Sequence, residues 1–109
     1  MSWDVILEKP LPGCQPGDMD GENIELFDLA EVERVLRALL PQIQKTGPLE
    51  MFYDEPSVTI EINLAEDYIW LFVHYDTDEG GTRIMELLRE ICKALQCRAM
   101  DTTEVEFIV

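Results

Sequence analysis

The segment Ser57–Leu64 alternates without a break: Val58, Ile60, Ile62 and Leu64 on one side, Thr59, Glu61 and Asn63 on the other. Period two over this length predicts a strand with one face on a core and one in water. Tyr68–Tyr75 (YIWLFVHY) is almost wholly apolar or aromatic. By pattern it is a central strand, buried on both faces or nearly so. The short link Ala65–Asp67 predicts an antiparallel hairpin between the two. Trp3–Glu8 and Leu49–Tyr53 read as further strands, and Glu104–Val109 as a last one, with Val105, Phe107 and Val109 alternating against Glu104, Glu106 and Ile108. A short extended piece is expected at Arg98–Met100.

Two stretches change period. Val32, Val35, Leu36, Leu39 and Leu40 recur at spacings of three and four, the mark of an amphipathic helix. Asp28 is placed to cap it, with Glu31 three residues on, and Pro41 should stop it at Leu40. The second stripe is Ile84, Leu87, Leu88, Ile91 and Leu95, with Thr82 as the expected cap. Between elements lie a long proline- and glycine-rich loop from Pro10 to about Phe27, a connector at Gln42–Pro48, and a loop at Asp76–Gly81. The expected order is β-α-β-β-β-α-β: an α+β domain spanning 1–109, its two helices packed on one face of a mainly antiparallel sheet.

Composition alters this picture mainly through charge. Eight Lys and Arg stand against 23 Asp and Glu, a formal net charge of -15. Seven acids and no Lys or Arg fall between Pro10 and Glu33, and nine acids and no Lys or Arg between Thr46 and Thr82. The bases cluster in the two helical stretches. A surface of nearly one sign repels nucleic acid and anionic membranes, and draws in basic partners. The same acidity also serves plain solubility. No run approaches the 18 apolar residues of a membrane-spanning helix, and the opening Met1-Ser2-Trp3-Asp4 has no signal-peptide character, so the cytoplasm is the expected compartment. The three cysteines, Cys14, Cys92 and Cys97, lack metal-ligand spacing, and Cys92 falls on the apolar stripe as a small core residue.

Candidate chemistry is sparse. His74, the single histidine, stands near Asp76 and Asp78, but no nucleophile can be assigned to it from the sequence. The runs beginning at Asp18 and Asp76 look faintly like calcium loops. From Asp18, position six is Asn23 and position twelve Leu29; from Asp76, Gly81 fits position six but Leu87 fills position twelve. No cofactor, metal or catalytic constellation is expected.

The opening Met1-Ser2-Trp3-Asp4-Val5, the strand Val58–Leu64, the segment Leu71-Phe72-Val73-His74 leading to Gly80-Gly81, and the ending from Cys97-Arg98-Ala99-Met100-Asp101-Thr102 to Glu106-Phe107 together resemble a family of small bacterial proteins. These open with Ser-Trp-Asp, and are similar to the immunity partners of polymorphic bacterial toxins. The proline-rich segment from Lys9 to Gly17 departs from that pattern, so partner identity does not carry over. The resemblance implies a non-enzymatic protein that binds and neutralises a cognate toxin, and the charge of -15 implies that the toxin carries a basic active-site surface. The charge nominates Asp76, Asp78 and Glu79, then Glu66, Asp67, Asp54 and Glu55, for contact with it, all in loops or at strand ends. Two alternatives stand beside it. One is an enzyme or small-ligand domain with His74 on the floor of a pocket. The other is an acidic accessory or dimerising domain whose exposed strand pairs with a second copy.

Overall fold

A computed structural model describes residues 1–14 and 23–109. The long loop's acids Asp18, Asp20 and Glu22, and the calcium-loop reading built on the first two, lie outside the described residues. The chain forms β1 (Ser2–Pro10), β2 (Ile24–Glu25), α1 (Leu29–Leu39), β3 (Gln44–Gly47), β4 (Glu50–Glu55), β5 (Val58–Leu64), β6 (Ile69–Tyr75), α2 (Asp78–Leu95), β7 (Arg98–Asp101) and β8 (Glu106–Phe107). Among the described residues it is an α+β fold, two helices packed against an antiparallel sheet of eight strands.

The strand order is β3-β4-β5-β6-β1-β7-β8, with β2 also pairing β1. β1 is the hub. It pairs β6 from Ser2↔His74 to Leu7↔Ile69, β7 from Val5↔Asp101 to Glu8↔Arg98, and β2 at Lys9↔Glu25. The β5–β6 hairpin is antiparallel throughout, from Val58↔Tyr75 to Leu64↔Ile69, as the short link requires. The buried positions of the strands are Val5 and Leu7, Met51 and Tyr53, Val58 to Leu64 at every second residue, then Ile69, Leu71, Val73 and Ala99. Val32, Val35 and Leu36 of α1 and Ile84, Leu87, Leu88, Ile91, Cys92 and Leu95 of α2 meet them in the core.

Several expectations are corrected. β6 is buried on one face only: Ile69, Leu71 and Val73 are sealed, while Trp70 and Phe72 are 41% and 38% exposed. Being apolar did not bring these rings inside; strict alternation put them on the open face once β5 had set the register. α2 begins at Asp78, not after Thr82. Thr77 is the cap, and its Oγ1 accepts from the Gly80 amide at 3.0 Å. The hydroxyl of Thr82 donates instead to the Asp78 carbonyl. The glycines that close the expected loop have a packing role. A Cβ on Gly80 would stand 2.7 Å from the Ser57 carbonyl oxygen and 3.1 Å from Cβ of Tyr75. Only a bare backbone lets the first turn of α2 sit on the β4–β5 turn.

The expected strand at Glu104–Val109 shrinks to Glu106–Phe107. Asp101 is the reason. One oxygen of its carboxylate accepts from the amides of Thr103 and Glu104 at 2.7 and 3.2 Å, and the other from Nε1 of Trp3 at 3.0 Å. This turns the chain and leaves Val105 half exposed at φ 52. Burial would raise the Asp101 carboxyl, but these three hydrogen bonds outweigh it and hold the group below its usual range. β2 and β3, both absent from the expected order, are short, and neighbours complete them rather than any pattern of their own; β7 lies where the extended piece at Arg98–Met100 was expected. At α1, Asp28 caps as anticipated, accepting from the amides of Ala30 and Glu31, and Leu40 ends the helix before Pro41. Among the described residues, no helix is long and apolar enough to cross a membrane.

Candidate functional site: the open face of the sheet

Alternation puts every second strand residue away from the helices, and the register lines these residues up in rows across the sheet. One row runs Phe52, Glu61, Phe72, Asp4 through β4, β5, β6 and β1. Ring and carboxylate alternate along it. At about 4.8 Å between strands, the row is about 14 Å long. The next row runs Glu50, Asn63, Trp70, Ile6, Met100, Phe107. A third holds Asp54, Thr59, His74 and Ser2. Trp70 ties the first two rows together, since its Nε1 donates to the Asp4 carboxylate at 3.1 Å. Thr59 Oγ1 donates to Asp54 at 3.2 Å in the third.

Phe52 stands between two open hollows. Thr46, Glu50, Glu61 and Asn63 help to line one, and Gln42, Gln44 and Asp54 the other. Several bases are engaged within the molecule. Arg37 and Lys45 pair with Glu33, Arg83 pairs with Glu55 and Glu86, and Arg98 lies over the Phe107 ring with 4.1 Å between guanidinium and centroid. Among the described residues, no ion pair reaches Asp4, Glu50 or Glu61.

The seven acids nominated from sequence divide between the two ends of the sheet. Asp54, Glu55, Asp76, Asp78 and Glu79 gather near the β4–β5 turn and the start of α2, whereas Glu66 and Asp67 occupy the β5–β6 turn. The length of β5 separates the groups, about 20 Å at strand rise. Within the first group the roles differ. Asp76 meets Nε2 of His74 at 3.1 Å. Asp78 and Glu79, expected in a loop, lie in the first turn of α2, where they complement the helix dipole.

Glu55 is held internally, by Nε of Arg83 at 3.2 Å and the Tyr53 hydroxyl at 2.6 Å. Burial, and then the Glu55 carboxylate, push the Tyr53 hydroxyl above its ordinary pKa. Desolvation works against the Arg83 charge, but Glu55 overrides it and raises that group. At the far end, Glu66 gives its backbone carbonyl to the Phe27 amide at 2.7 Å. Asp67 bears on Glu8, whose carboxyl is pushed up first by burial and then by that neighbouring charge.

His74 does not floor a pocket. It stands on the open face with 46% of its side chain exposed. Among the described residues, no three His, Cys, Asp or Glu side chains group so as to hold a metal ion. Cys92 and Cys97 are buried free thiols.

Sequence reasoning missed Phe52, Phe72, Trp70, Asp4 and Glu61 as a group. The signal was available: Thr59, Glu61 and Asn63 were recognised as a wet face, and hairpin register carries that face onto Trp70, Phe72 and His74. Comparison with protein-family models, with curated proteins and with solved structures finds no match to this chain.

Proposed function

We propose that this chain is an immunity-type binding protein that neutralises a cognate bacterial toxin bearing a basic active-site surface. The observation that supports the reading best is the open face, which combines exposed rings with carboxylates that have no internal base. Such a surface suits a protein partner: aromatic side chains supply contact area at low entropic cost, and the acids select a positive partner and steer its approach. Asp54, Asp76, Asp78 and Glu79 at one end, and Glu66 and Asp67 at the other, extend the field beyond the contact itself. A net charge of -15 sharpens the choice of partner and speeds encounter.

The test is a capture from the native cytoplasm at low and at high salt, followed by expression of the captured protein with and without this chain. One basic protein, harmful alone and harmless in company, is the expected result. A salt-labile mixture of basic proteins would remove the reading. It would leave an acidic accessory or dimerising domain, which the apolar row Trp70, Ile6, Met100 and Phe107 also suits.

A further inference from the structure

We infer that the open face is a seat for arginine side chains of a protein partner, centred on the row Phe52, Glu61, Phe72, Asp4. The inference deepens the immunity reading by naming what the face recognises. Glu61 stands between two rings, and Phe72 between two carboxylates, in adjacent cross-strand positions. A planar guanidinium stacks on an aromatic ring while its edge donors reach a carboxylate alongside. An ammonium makes a weaker stack and lacks the fork.

The seat is concave on one side of Phe52, where Glu50 and Glu61 help to line the hollow. At the far end of the row from Phe52, the Trp70 indole fixes the Asp4 carboxylate by a 3.1 Å hydrogen bond. Arg98 over the Phe107 ring shows the same chemistry within the molecule, a guanidinium 4.1 Å from an aromatic centroid. Charge complementarity names the occupant: Asp4, Glu50 and Glu61 have no base in ion-pair reach among the described residues, and Phe72 and Trp70 leave rings exposed, with Phe52 half-buried beside the hollow.

The experiment titrates the full chain at physiological salt with a capped arginine octapeptide and a lysine octapeptide of equal charge, followed by tryptophan fluorescence and by amide chemical shifts. The arginine peptide should bind about tenfold more tightly, a gap of the size that stacked guanidinium contacts supply. The shifts should centre on β4, β5, β6 and β1. The double variant Glu50→Gln with Glu61→Gln, and separately Phe72→Leu, should each weaken arginine binding about tenfold. Glu66→Gln with Asp67→Asn removes the same charge at the sheet's end and should leave affinity within about twofold, as expected for screened, distant groups.

Equal affinity for the two peptides, or equal loss in both double variants, would overturn the seat in favour of diffuse attraction. Dilution-dependent shifts of the same amides without peptide would assign the face to a second copy and overturn it too. Failure of the immunity reading is a separate result. A chain that seats arginine yet protects no cell from the captured protein loses that role and keeps the seat. Protection that survives Glu50→Gln, Glu61→Gln and Phe72→Leu removes the seat and keeps the role.

Discussion

Gly80 and Gly81 adjoin in sequence and differ in what surrounds them. A methyl on Gly80 meets the Ser57 backbone oxygen at 2.7 Å, whereas one on Gly81 meets the Tyr75 ring edge at 3.2 Å. Backbone cannot yield as a ring can. Gly80→Ala should therefore cost about 1–3 kcal/mol as overpacking, and lower the melting temperature by about 5 °C or more. Gly81→Ala should cost clearly less, because Tyr75 can turn and alanine favours the helix. Calorimetry on the two variants checks the order.

Glu8 makes the pH prediction at this scale. Burial, then Asp67, raise its folded-state pKa, so the ionised carboxylate opposes folding. Its protonated form favours the fold fully below the ordinary carboxylate range, and that benefit is lost as pH rises through the raised folded value. Glu8→Gln should thus melt higher than the parent at neutral pH and converge with it in acid. Asp101 runs oppositely. Its lowered pKa contributes stability above the ordinary value, which disappears as pH falls through the folded one. Melting curves against pH for the parent, Glu8→Gln and Asp101→Asn separate the two.

At the scale of elements, caps decide where helices begin. Thr77 satisfies the Gly80 amide in the first turn of α2, and Thr77→Ala should destabilise by about 1 kcal/mol, read from urea unfolding. β5 and α1 were legible because their apolar periods are intact and Asp28 is an ordinary cap. β6 was legible as a strand but not as a half-exposed one, since Trp70 and Phe72 count as apolar wherever they point. β2 and β3 were hidden because a strand of two to four residues has no period to detect. Asp101 concealed the break in the last strand, because a turn made by one carboxylate leaves the alternation of Val105, Phe107 and Val109 intact on paper. The open face was the least legible feature. Its members come from four strands and meet only through register, so no contiguous segment announces them.

For the whole molecule, self-repulsion is the dominant electrostatic fact. With a net charge of -15, screening should favour the compact state. Raising ionic strength from 0.01 to 0.15 M shortens the screening length from about 30 to about 8 Å. The melting temperature should then rise while association with a basic partner slows, and scanning calorimetry with stopped-flow binding at two salt concentrations reads both.

The position of β1 in the sheet also sets an order of events during synthesis. The strand lies between β6 and β7, whose residues begin at Ile69 and Arg98. A nascent chain therefore exposes Ser2–Pro10 before either neighbour exists, and cannot close both flanks until Arg98–Asp101 has been made. The α1 helix and the β4–β5 hairpin can form from local contacts, while the central strand waits for its partners. In that interval the apolar run Val5–Leu7 is an unpaired edge, open to pairing with whatever strand it meets. Pulse-labelled amide exchange on ribosome-bound chains of increasing length should therefore find β1 unprotected until β6 has been made, and fully protected only once β7 has followed.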